Sequence, residues 1–148
     1  MADITLAAYA YGSVLFDPDV PCITTQWHSF ANRQQFQAMM NEALACYEEE
    51  SKRTFPLGWL ADTRQMSALT SDDQRWLNTD WNPRAYAAGI RHVCIVQSEN
   101  VFGQIAAASY STKTLASQEY EIQPVTQPTI AAAKHWIQKS LQGHSVLP

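Results

Sequence analysis

From Cys22 onward, segments that read as strands alternate with segments that read as helices, and this alternation limits the fold more than any other feature. Such an order packs as a largely parallel sheet with right-handed crossovers and helices on its faces. The strand-like segments are "CITTQWH", Leu57 to Ala61, Val93 to Val96 and "EYEIQPV". The run Val93 to Val96 is apolar without interruption, as in a strand covered on both faces. Before Cys22 the chain reads as β-structure: Ile4, Leu6 and Ala8 alternate with Thr5 and Ala7. "SVLF" and "CITTQWH" flank the punctuating turn "DPDVP", which predicts an N-terminal antiparallel hairpin.

The helices carry their own start and stop signals. Asn32 caps "NRQQFQAMMNEALACYEEESK", where Phe36, Met39, Met40, Ala43, Leu44 and Tyr47 recur on one face. Ser71 with Gln74 fits a capping box, and Asp72 and Asp73 then lie at the positive helix end. Trp76, Leu77 and Trp81 do not share one narrow stripe, so one tryptophan is expected to face a neighbouring element. Asn82 and Pro83 restart a helix that Gly89 closes. Ser98 or Asn100 caps the next, which carries Ala106, Ala107 and Ala108 against the sheet. The last helix has Pro128 in its first turn, Gly143 past its end, and a buried stripe of Ile130, Ala133, Ile137 and Leu141. The expectation is one α/β domain over residues 1–148: a mixed, mostly parallel sheet with an N-terminal antiparallel hairpin, flanked by four to five helices.

Composition restricts the partners. A net charge of -4 offers no basic stripe for phosphate, so nucleic acid is not expected. No apolar run reaches the ~20 residues of a bilayer span. "MADITLAAYAYG" lacks the basic start of a signal peptide, and Cys22, Cys46 and Cys94 are odd in number and far apart, as for reduced thiols in a cytoplasm. Charged residues are only 16%, below the usual quarter, which favours a partner-covered or self-associating face.

Reactive chemistry is scarce. Phosphate-cradling glycine loops, a nucleophile elbow and a His-Glu-x-x-His helix are absent from the sequence. His28, His92, His135 and His144 have no metal-like partner at helical spacing, so structural histidines are expected and no metal or cofactor is assigned. Cys94, inside a covered strand, is not expected to be a reactive thiolate. Ligands of open α/β sheets gather beyond the carboxyl ends of parallel strands. Two such exits supply Asp62, Thr63, Arg64 and Ser71, and Gln97, Ser98, Glu99 and Asn100. The candidate polar cleft or switch is therefore Asp62, Arg64, Ser71, Asp72, Ser98 and Asn100. The competing reading has Asp62 and Arg64 pairing with each other while Ser71 and Ser98 merely cap. The loop "QMSAL" is placed to fold over such a cleft.

The run "LADTRQMSALTSDDQRWLNTDWNPRAYAAGIRHVCIVQSENVFG" resembles the bacterial STAS-like proteins that are also grouped with the CRAL-TRIO lipid-carrier fold. Asp62, Ser71, Asp73, Gln74, Trp76, Leu77, Trp81, Pro83, Arg84, Ala85, Ala88, Gly89 and Arg91 carry the likeness, which is closest to an uncharacterised branch. The resemblance implies a mixed sheet flanked by helices without catalytic machinery. In the anti-sigma-factor antagonist relatives, a serine at the corresponding helix start is phosphorylated and switches binding to a partner kinase. Ser71 occupies that place. The relatives follow the serine with a small residue and glycine, however, whereas Asp72 and Asp73 would oppose a phosphate of about -2 charge.

Three functional readings follow. The first is a non-catalytic STAS-like regulatory or protein-interaction module, self-associating as a homodimer; Trp59, Trp76, Trp81 and Trp136 all read as core, or else Trp81 is an exposed aromatic anchor with Arg84 as its planar charge. The alternative is a carrier of a small apolar or lipid-like ligand held between sheet and helices. An enzyme of unknown type using Asp62, Arg64, Ser71 and Ser98 comes last, because no histidine or cysteine can be placed beside them.

Overall fold

A computed structural model describes residues 3–66 and 68–146, with the side chains of 144–146 excepted. The side chain of His144, and Ser67 of the loop "QMSAL", thus lie outside the described residues. Six strands form one sheet in sequence order: β1 (Ile4–Tyr9), β2 (Gly12–Asp17), β3 (Cys22–Trp27), β4 (Gly58–Asp62), β5 (His92–Val96) and β6 (Gln123–Gln127). The pairs β1–β2 and β2–β3 are antiparallel, and β3–β4, β4–β5 and β5–β6 are parallel. The architecture is the expected α/β class.

The connections explain the layering. From β3 to β6 the chain steps across the sheet in one direction, and crossovers of one hand then put every connecting helix on the same face. Those helices are α1 (Arg33–Ser51), the pair α2 (Ser71–Trp76) and α3 (Asn82–Ala88), and α4 (Val101–Ala116). Their residues Phe36, Met39, Leu44, Leu77, Trp81 and Tyr110 close a core over Val14, Ile23, Trp59, Val93 and Ile95. Helix α5 (Ile130–Val146) follows the last strand and covers the opposite face, where Ala133 and Ile137 meet Cys22, Leu60, Cys94 and Val96. Lys134 ties α5 to β2 through Asp17 at 2.8 Å, and it also reaches Asp3 at 3.0 Å.

Several local expectations are corrected. Ile4 and Leu6 are exposed, because β1 is an edge strand bulged between Thr5 and Ala7, and Ala7 and Tyr9 are what pack on the core. The last strand begins at Gln123, three residues beyond Tyr120, whose ring is buried before the strand starts. Thr129 accepts from the Ala132 amide at the start of α5, with Pro128 just outside, and the helix runs through Gly143 to Val146.

The larger difference lies between Ser71 and Ala88. No break separates two helices there: residues Leu77–Trp81 form a π-helical turn, with the Asn82 amide donating to the Leu77 carbonyl, and α2 runs through it into α3. A proline inside a helix removes one donor and crowds the carbonyl four residues back, and a widened turn ahead of Pro83 relieves both. The same widening explains why Trp76, Leu77 and Trp81 fit no single stripe. Gly89, at φ 111°, ends the segment in the left-handed region, as the sequence implied.

Candidate functional site

The six residues of the expected polar cleft fall into three separate arrangements. Asp62 leaves β4 with its carboxylate buried, and it takes two bonds from the Arg64 guanidinium, both at 2.9 Å, and one from the Gln26 amide at 3.3 Å. Burial alone raises the Asp62 carboxyl, but the bonds and charge of Arg64, with Gln26, outweigh it and hold the group below the ordinary carboxylate range. Gln26, His28, Gln65 and Glu99 complete a cleft of about 330 Å³ around this pair. The pair is internally satisfied, as in the competing reading.

Ser98 and Asn100 serve as fasteners. The buried Ser98 hydroxyl donates to the Met66 carbonyl at 2.7 Å and accepts from the Asn100 amide, while Asn100 caps α4 through the Phe102 amide. The loop after β4 is thereby pinned to the start of α4. Ser71 and Asp72 sit elsewhere. Thr70 is the residue that caps α2, accepting from the Asp73 amide at 3.1 Å, and Gln74 donates to the Leu69 carbonyl instead of closing a box with Ser71. Ser71 is simply the first, exposed helical residue. Asp72 binds Arg33 of α1 at 2.7 Å, an exposed seam between two helices.

Trp81 is not an exposed anchor. It is 1% exposed, its indole N–H donates to the Met40 carbonyl at 3.0 Å, and its ring lies 5.1 Å from that of Trp59. Arg84 is engaged by Asp80 and Asn41 at 2.8 Å and lies over the half-buried Trp76 ring. Trp76 also meets Phe36 edge-on, so both tryptophans face neighbouring elements.

Two features escaped the sequence reading. Asn82 is completely buried: its amide nitrogen donates to Thr114 and Tyr120, and its oxygen accepts from Tyr110 at 3.1 Å. Burial raises the Tyr110 phenol well above its ordinary value, so it stays a neutral donor. An asparagine before proline reads as a cap, which hid this network.

The second feature is a small cavity of about 70 Å³ between the sheet and the helices, partly open to solvent. Its floor is Thr25 and Trp27 of β3, Trp59 and Ala61 of β4, and Val93 and Ile95 of β5. Phe36 and Met40 of α1, Leu77 and Trp81 of the π turn, and Met66 and Leu69 of the pinned loop form its walls. Gly103, Ala106 and Ala107 make the α4 wall thin, with Tyr110 and Thr63 completing it. No charged side chain lines it among the described residues. Three polar side chains of the lining are committed: Thr63 donates to Val96, Trp81 to Met40 and Tyr110 to Asn82. Thr25 is not: it is 1% exposed, and its hydroxyl oxygen has no partner among the described residues. The small residues of α4 were the available signal, read from sequence only as close packing.

Among the described residues no three His, Cys, Asp or Glu side chains gather to hold a metal ion, and no helix is long and apolar enough to cross a membrane. Cys22 and Cys94 are buried, and burial pushes each thiol up to about 12, far from thiolate reactivity. Neither protein-family models, curated proteins nor solved structures yield a match to this chain.

Proposed function

We propose that this chain is a non-catalytic domain that holds a small apolar molecule between its sheet and its helices. The observation that carries this reading is the cavity over β3, β4 and β5, walled by tryptophan, methionine and alanine side chains and lacking any charge among the described residues. Ligand sites are concave, mostly apolar and supplied with few polar groups, and this cavity has that character. A π-helical turn supplies Leu77 and Trp81 to its wall, and such turns recur at functional sites. The resemblance to STAS-like proteins grouped with lipid carriers agrees, as fold analogy.

The test is a titration with toluene, a small uncharged apolar ring, alongside extraction and mass spectrometry of the purified protein. Saturable toluene binding that Ala107→Phe abolishes by filling the cavity is the expected result. Non-saturable binding, or binding that Ala107→Phe leaves unchanged, overturns the reading.

A protein-interaction or self-associating role retains one supporting observation. Val101, Phe102 and Ile105 are exposed together on the outer side of α4, in a position to form an apolar patch. Phe102→Ser would then lower the apparent mass in concentration-dependent size exclusion. An unchanged profile removes this second reading.

A further inference from the structure

The carrier reading leaves the ligand's chemistry open, and the cavity wall narrows it. Building on that reading, we infer that the cavity takes an uncharged ring-bearing molecule that carries a hydrogen-bonding oxygen, and that this oxygen meets the Thr25 hydroxyl.

Charge is settled first. A buried carboxylate or ammonium needs an opposite charge or several hydrogen bonds to offset desolvation. No charged group lines this cavity among the described residues, and Asp62 and Arg64 satisfy each other in a separate cleft. A charged ligand finds no counter-charge on the walls.

One polar contact follows from the hydrogen-bond inventory. Trp81 and Tyr110 spend their only donors on Met40 and Asn82, and Thr63 spends its proton on Val96. Thr25 differs. Its side chain stands on the face shared by Val14 and Ala61, its partners across β2 and β4, and that face floors the cavity. Its hydroxyl is buried without a protein partner among the described residues, although buried polar groups are nearly always paired. A hydroxyl donates and accepts, so a phenol, alcohol or ketone oxygen satisfies it equally. Trp27, Trp59 and Trp81 supply ring faces and edges for the remainder of the ligand.

The experiment compares p-cresol with toluene, one ring with and without the oxygen, by calorimetric titration of the full chain. Thr25→Val keeps the shape of the side chain and removes its hydroxyl. The expected result is that this substitution lowers the p-cresol to toluene affinity ratio about tenfold, the worth of one neutral hydrogen bond. Thr25→Ser should restore the ratio, which separates loss of the hydroxyl from loss of packing. If both probes bind and the ratio is unchanged in Thr25→Val, the anchor is refuted while the carrier reading stands. If neither probe binds the wild-type chain, the carrier reading fails and the anchor with it.

Discussion

The indole N–H of Trp81 donates to the main-chain carbonyl of Met40 across 41 residues of sequence, joining the π turn to the middle of α1. This bond and the contact with Trp59 make Trp81 a core residue and a wall of the cavity at once. Burying a tryptophan removes on the order of 200 Å² from water, so its loss weighs on stability rather than association. Trp81→Ala is expected to cost about 3–5 kcal/mol in urea unfolding. Trp81→Phe should cost about 1–3 kcal/mol, since most burial persists while the hydrogen bond is lost. A Trp81→Ala protein of unaltered stability would contradict this placement.

The start of α2 makes a paired prediction. Thr70 carries the capping bond and Ser71 is exposed, so Thr70→Ala should cost about 1 kcal/mol. Ser71→Ala should change the unfolding midpoint negligibly. Equal effects, or a larger one at Ser71, would restore Ser71 as the cap.

These two sites show what the sequence could disclose. Alternation, caps and breakers announced the α/β class, the antiparallel start, and an interior strand at Leu57 to Ala61, observed as Gly58–Asp62, because each is a local signal. The cap at Thr70 was missed by one residue, since threonine and serine are adjacent and both are good acceptors. Asn82 was misread, and Trp81 was left between core and exposed anchor, for a different reason. Their roles depend on partners 28 to 41 residues away, and the π turn that aims them inward has no established local signature. The cavity was illegible for the same reason, because its walls come from seven separate segments that only the fold assembles. Asp62 and Arg64, two residues apart, were paired correctly in the alternative that kept them structural.

That pair predicts a pH dependence. The folded Asp62 carboxyl lies below its unfolded value, so its contribution to stability is complete above the ordinary carboxylate range near pH 4. It is lost as pH falls through the folded value. Asp17 follows the same sign: burial raises it, but Lys134 and the Asp19 amide pull it below the ordinary range. Asp62→Asn should therefore lose less unfolding free energy than wild type between pH 6 and pH 3, and adding Asp17→Asn should flatten the curve further. Superimposable curves for wild type and the double variant would refute the assignment.

Gly103 sets two effects against each other at the thin wall of the cavity. Helix propensity alone favours alanine in α4 by about 1 kcal/mol. A methyl group there would stand 2.3 Å from the Ser98 hydroxyl oxygen and 2.5 Å from the Met66 carbonyl oxygen. Neither neighbour is free to retreat, because those two atoms are bonded to each other at 2.7 Å and that bond pins the loop to the helix. The collision should prevail. Gly103→Ala is expected to be destabilised by about 1–3 kcal/mol, with the loop around Met66 displaced outward. Amide hydrogen exchange near Met66 should quicken while exchange in β4 and β5 stays slow, and toluene entry into the cavity should accelerate. If Gly103→Ala instead stabilises the protein and leaves exchange at Met66 unaltered, propensity has won, and the loop does not seal the cavity against α4.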